Sequence, residues 1–131
     1  MADAARVVET AVAALVHGEI ARHLDHVSDD VRVQFNENPP IQGKMAYEAM
    51  LCHVIQGEAV VSFRIAGQVT EPDGGVTVRV DQVHQLDARN RQGQSVAHRE
   101  TVSSSYTVRD NVIVEVKLAL LGGPNRVYRY P

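Results

Sequence analysis

The chain carries a single cysteine, Cys52, in 131 residues. That excludes an internal disulfide and a cysteine-rich metal site, and it points to a reducing, cytoplasmic compartment. A basic excess is also missing. The formal net charge is −3, and the lysines and arginines are scattered. Nucleic acid is therefore not the expected partner, because neutralising phosphates takes a basic stripe. No apolar run approaches the roughly 18 residues of a membrane helix. The short segment Ala11–Val16 follows Asp3 and Glu9, acidic residues where a signal peptide carries positive charge. There is no glycine-rich phosphate loop, and no serine nucleophile in the turn context that hydrolases use.

What is present is an ordinary globular composition, 44% hydrophobic and 22% charged, in a length that suits one domain with a real core. The first half has helical periodicity. Val8, Ala11, Val12, Leu15 and Val16 form one apolar stripe, with Asp3 placed to cap the start and Gly18 to end it. A short second helix is predicted from Glu19 to about Val27, ended by Ser28-Asp29-Asp30. A strand follows at Val31–Phe35, then a turn at residues 36–43 with two prolines, then a helix at residues 44–56. The second half is rich in valine with a period of two. It predicts strands at residues 59–70, 76–86, 95–108 and 112–120, joined by turns as an antiparallel meander. Residues 121–131 read as a tail. Helices first and strands second is an α+β pattern.

The stretch from His23 to Met50, HLDHVSDDVRVQFNENPPIQGKMAYEAM, resembles the signature of SnoaL-like and ketosteroid-isomerase-like proteins of the nuclear-transport-factor-2-like superfamily. The resemblance implies a curved antiparallel sheet with N-terminal helices packed on its concave face, a cone-shaped, cystatin-like α+β barrel. It also implies a hydrophobic pocket, homodimerisation through the outer sheet face, and no cofactor. The superfamily includes cyclases, isomerases, dehydratases, epoxide hydrolases and modules without activity, so the fold alone assigns no reaction. The isomerase catalytic groups are missing. Phe35 stands at the position of the general-base aspartate, Ala11 near that of the oxyanion tyrosine, and Ser104 near that of the protonated aspartate.

Aligned on the isomerase pattern, even-numbered residues of the last three strands face inward. These are Val78, Val80, Gln82 and His84, then His98, Glu100, Val102, Ser104 and Tyr106, then Val114, Val116, Leu118 and Leu120. Pairing Leu86 with Val96 would set Gln82 opposite Glu100 and His84 opposite His98. Glu100 is then the candidate acid or base, His84 or His98 its helper, and Tyr106, Ser104 and Gln82 polar anchors. Phe35, Tyr47, Leu51, Val80, Val102, Val116 and Leu118 would form the ligand-binding wall. Glu37, in the turn, is a secondary acid–base candidate. His84, His98 and Glu100 also invite a metal reading, but no ligand-spacing motif supports one. His17, His23, His26 and His53 read as solvated or at a helix edge, and Cys52 as a packed side chain. The expected function is cofactor-free acid–base chemistry on a polyketide-, terpene- or steroid-like molecule. The alternative is a non-catalytic binding or assembly module.

Overall fold

The computed structural model describes residues 3–55, 58–89 and 92–119. The tail at 121–131 and Leu120 lie outside them. Three helices come first: α1 (Ala4–Val16), α2 (Ile20–Leu24) and, after the strands β1 (Val27–Phe35) and β2 (Ile41–Gln42), α3 (Lys44–Ile55). Four long strands follow: β3 (Glu58–Thr70), β4 (Val76–Arg89), β5 (Ser95–Arg109) and β6 (Val112–Leu118).

The expected apolar stripe forms the buried face of α1, where Val7, Val8, Ala11, Val12, Ala14 and Leu15 are buried. The Asp3 carboxylate accepts the N–H of Ala5 and caps its start. At the other end Gly18 takes φ +71°. Its N–H bonds to the Leu15 carbonyl, and that of Glu19 bonds to Ala14. This is a Schellman closure, which needs a left-handed residue.

The six strands form one sheet in the order β2-β1-β6-β5-β4-β3. From β3 to β6 it is the expected antiparallel meander. β1 does not neighbour β3. It pairs in parallel with β6, Val33 beside Val116 and Phe35 beside Leu118. Ser28-Asp29-Asp30, read as a break, lies within β1, its two aspartates exposed. α1 packs across β3, β4, β5 and β6, and α3 against β1, β2 and β3, so Val31, Val33, Phe35, Tyr47 and Leu51 join Val78, Val80, Tyr106, Val108, Ile113, Val116 and Leu118 in one core.

Two departures from strict alternation matter for the site. The register shifts between Thr107 and Val108, so Thr107 and Val108 are both buried. On β6 it is Ile113, not Val114, that enters the core. The β4–β5 ladder also continues to Arg89 and Ser95, which sets His84 opposite Glu100 and Leu86 opposite His98. The expected register was two residues off. A two-residue slip preserves which face each side chain occupies but changes its neighbour.

No atom lies within 4 Å of where a Cβ at Gly18 would stand, so substitution there meets only the backbone penalty. Gly18→Ala is expected to cost about 1 kcal/mol and to lower Tm by a few degrees in thermal denaturation.

Candidate functional site

Burying a polar side chain costs free energy unless its hydrogen bonds are made. The concave face of β4 and β5 nevertheless buries four of them in neighbouring positions: Gln82, His84, Ser104 and Tyr106. All four were expected inward. The polar ends of Tyr106 and His84 meet at the carboxamide of Gln82. Its Nε2 donates to the Tyr106 hydroxyl at 2.6 Å, and its Oε1 accepts from His84 Nε2 at 2.8 Å. His84 therefore carries a proton on Nε2. Val80 is opposite Ser104 and Val102 is opposite Gln82, so Ser104 is the diagonal neighbour of Gln82. The Ser104 Oγ is buried and, among the described residues, has no hydrogen-bond partner.

A second buried pair comes from the helices. His23, read from sequence as solvated, is fully buried. Its Nδ1 donates to the Ala11 carbonyl on α1 at 2.7 Å, and its Nε2 accepts the Tyr47 hydroxyl proton on α3 at 2.7 Å. The two rings meet edge to face, with centroids 5.6 Å apart. One imidazole thus ties the three helices together. Loss of hydration pushes its pKa down to about 4, against the bond to Ala11, which raises it, with His26 lowering it further. The Tyr47 and Tyr106 phenols are pushed the other way by burial, and each lies near enough for Tyr106 to raise Tyr47 further. Both stay protonated at neutral pH.

Glu100 and His98 are corrected in position. They share the concave-face parity, but their side chains are 60% and 49% exposed. The β4–β5 hairpin carries them past the core residues supplied by α1, α3 and β1. They pair with each other at 3.2 Å, and Glu100 is the cross-strand neighbour of His84. The four residues expected to do chemistry therefore lie on one strip, Tyr106 and His84 inside and Glu100 and His98 at its open end.

Of the expected wall, Phe35, Tyr47, Leu51, Val80, Val116 and Leu118 are buried, while Val102 is half-buried where the strip turns outward. Glu37 is exposed, as are His17, His53 and Cys52, the last against expectation. Among the described residues no carboxylate is buried. In the hollow of about 480 Å³ between Glu71–Asp73 and Thr107, Arg109, Glu115 and Lys117, Arg109 pairs with Asp73 and Glu115 with Arg32.

Sequence reasoning missed His23. It lies in the five-residue α2, IARHL, three positions after Ile20, a spacing that puts the two on one helix face. Nothing local announced the tyrosine 24 residues later that satisfies it.

The buried imidazole makes stability depend on pH. The folded protein refuses a proton that the unfolded chain takes up below pH 6.5. Stability is therefore whole above that pH, falls with increasing acidity, and the loss is complete below about pH 4, at on the order of 3 kcal/mol. Urea unfolding across this range is expected to show the decline, and His23→Gln to flatten it.

Solved structures share this arrangement of elements. A candidate polyketide cyclase from Xanthomonas campestris pv. campestris is 16% identical, with 90% of each chain covered and a TM-score of 0.67. A ketosteroid isomerase-like protein from Erwinia carotovora atroseptica is 12% identical over 88% of this chain and 91% of its own, at 0.70. TerC, co-crystallised with polyporic acid, is 16% identical over 87% and 88%, at 0.57. At such identities the likeness is one of fold. No curated protein sequence matches the chain significantly. The sequence pattern of the SnoaL-like domain matches residues 8–116, most of the chain and all of the strands that build the strip. The protein belongs to the SnoaL-like family.

Proposed function

We propose that the protein binds a hydrophobic, oxygen-bearing small molecule, of the polyketide, terpene or steroid kind, and performs cofactor-free acid–base chemistry on it. The observation that carries this reading is the buried Ser104 hydroxyl with no partner among the described residues, next to a tyrosine whose oxygen already accepts from Gln82. Each hydroxyl then has a proton to give. A ligand carbonyl oxygen would take both, and the aliphatic wall would hold the rest of the molecule. Fixed donors in a dry site stabilise negative charge as it develops on that oxygen. The polyporic acid bound to TerC is a ligand of this general kind, hydrophobic and oxygenated.

In this scheme the His84 imidazole takes up the proton lost from the carbon beside the carbonyl. The electron pair moves to the oxygen held by Ser104 and Tyr106, and an enolate forms beside an imidazolium. Return of the proton at another carbon isomerises the molecule. Attack by the enolate on a second carbonyl closes a ring. Expulsion of a hydroxyl that takes the proton dehydrates it. Glu100, across the strand from His84 and bonded to His98, would pass protons to and from water. Self-association through the outer sheet face, where Arg79, Arg99, Thr101 and Ser103 are exposed, belongs to the same proposal.

The absence of a buried carboxylate among the described residues favours a second reading, a binding module without activity. One experiment separates the two. With α-tetralone, a hydrophobic aryl ketone, as probe, NMR in deuterated water reads exchange of the protons beside its carbonyl. The acid–base reading expects exchange about a hundredfold faster than in buffer, lost in His84→Gln and slowed about tenfold in Ser104→Ala. Binding with no acceleration leaves the module reading. Failure of α-tetralone to bind removes both.

A further inference from the structure

We propose that the outer face of the sheet carries a second binding site, formed by Arg79, Ser105 and Lys117 beside an open hollow at Gly67, and that its ligand is a small hydrophobic carboxylate. The site lies on the opposite face of the sheet from the one described under Proposed function and does not depend on it.

The strand register sets one row of residues across five strands: Gln34 on β1, Lys117 on β6, Ser105 on β5, Arg79 on β4 and Gly67 on β3. Paired residues of adjacent strands project to the same side. Other cations of this face are already engaged. Arg32 pairs with Glu115, Arg64 with Asp81 and Arg109 with Asp73, and Arg99 donates to the Gln85 amide oxygen. Arg79 and Lys117 are exposed and, among the described residues, have neither an ion pair nor a hydrogen bond. Two strand spacings separate them, roughly 10 Å between α-carbons, and Ser105 stands between. Two long cationic side chains can therefore close on one anion above that serine. Asp81 and Glu115 occupy the flanking rows of the same face and would repel a dianion. A singly charged carboxylate suits this setting better than a phosphate, and its two oxygens match the guanidinium fork.

Gly67 indicates what the rest of the ligand is. A glycine inside a strand weakens it, and often marks a bulge or a place where a ligand approaches. The register does shift between Ile65 and Gly67, but a bulge demands glycine only where φ is positive, and that of Gly67 is not. Crowding does not demand it either, since a Cβ added there would meet no atom within 4 Å. The missing side chain leaves open a hollow of about 350 Å³ between Gly67, Gln68, Val69, Thr77, Arg79 and Ser105, a size within the range of small-molecule sites. Val69, 63% exposed, is one of two large apolar side chains that the described residues leave to solvent. A hydrophobic body seated in the hollow would cover Val69 and the Thr77 methyl while its carboxylate meets Arg79.

Calorimetric titration of the whole protein with naphthoate tests this at neutral pH and low salt, with naphthylmethanol as the uncharged analogue. The wild type is expected to bind naphthoate about tenfold more tightly than the alcohol. Arg79→Gln is expected to erase that difference and Lys117→Gln to reduce it. Gly67→Val, which fills the hollow at a position with room for a side chain, is expected to melt no lower than the wild type and to bind neither probe. Naphthoate affinity that survives Arg79→Gln or Gly67→Val overturns the inference. So does a wild type that binds both probes equally, a comparison independent of any variant. A second copy seated on this face would exclude the ligand, so a wild type that binds no naphthoate overturns it as well. The concave-face reading is decided separately, by α-tetralone, whichever way naphthoate behaves.

Discussion

The cost of burying hydrogen-bonding groups among aliphatic side chains organises this molecule. A core made largely of valine and leucine is stable without polar atoms, yet it encloses two histidines, a glutamine, a serine, a threonine and two tyrosine hydroxyls. Most are satisfied by one another. His23 is held between Ala11 and Tyr47, and Gln82 between Tyr106 and His84. Among the described residues Ser104 is the exception. A domain selected only for stability would place alanine or valine there, since an unpartnered hydroxyl costs more than it returns. Its burial beside the Gln82–Tyr106 pair is the physical reason to propose the concave face as a site rather than as packing alone.

The two networks divide the work between the layers. The Gln82 network belongs to the sheet and sets the proton positions of His84 and Tyr106 by strand register. The His23 network belongs to the helices and fixes how α1, α2 and α3 lie over that sheet. Because imidazole and carboxamide groups are directional, each network specifies orientation as well as contact. The strip then opens at one end, where Val102 gives way to the exposed Glu100–His98 pair. The strip therefore has a buried polar interior and an exposed, hydrogen-bonded rim.

Much of the fold could be read from residue patterns, because the patterns are local. The stripe on α1, its cap at Asp3, and the alternation along β4 and β5 follow from helical and strand periodicity. The inward placement of Gln82, His84, Ser104 and Tyr106 came from the family resemblance and survived a two-residue error in register, since parity is conserved under an even shift. Long-range facts were hidden. Pairing of β1 with β6 joins residues over eighty positions apart, and no local signal specifies it. The exposure of Glu100 depends on how far the helices reach over the hairpin, not on its strand. His23 looked like one of several histidines near a helix junction until Tyr47 was placed against it.

The most direct measurement of the central claim is the carbon-13 shift of carbonyl-labelled α-tetralone bound to the protein. Two hydroxyl donors on the oxygen draw electrons from the carbonyl carbon and move its resonance downfield relative to an apolar solvent. The account predicts that downfield shift in the wild type and a partial return in Ser104→Ala and in Tyr106→Phe. A bound carbonyl resonating as it does in hydrocarbon, unchanged by either substitution, would contradict it.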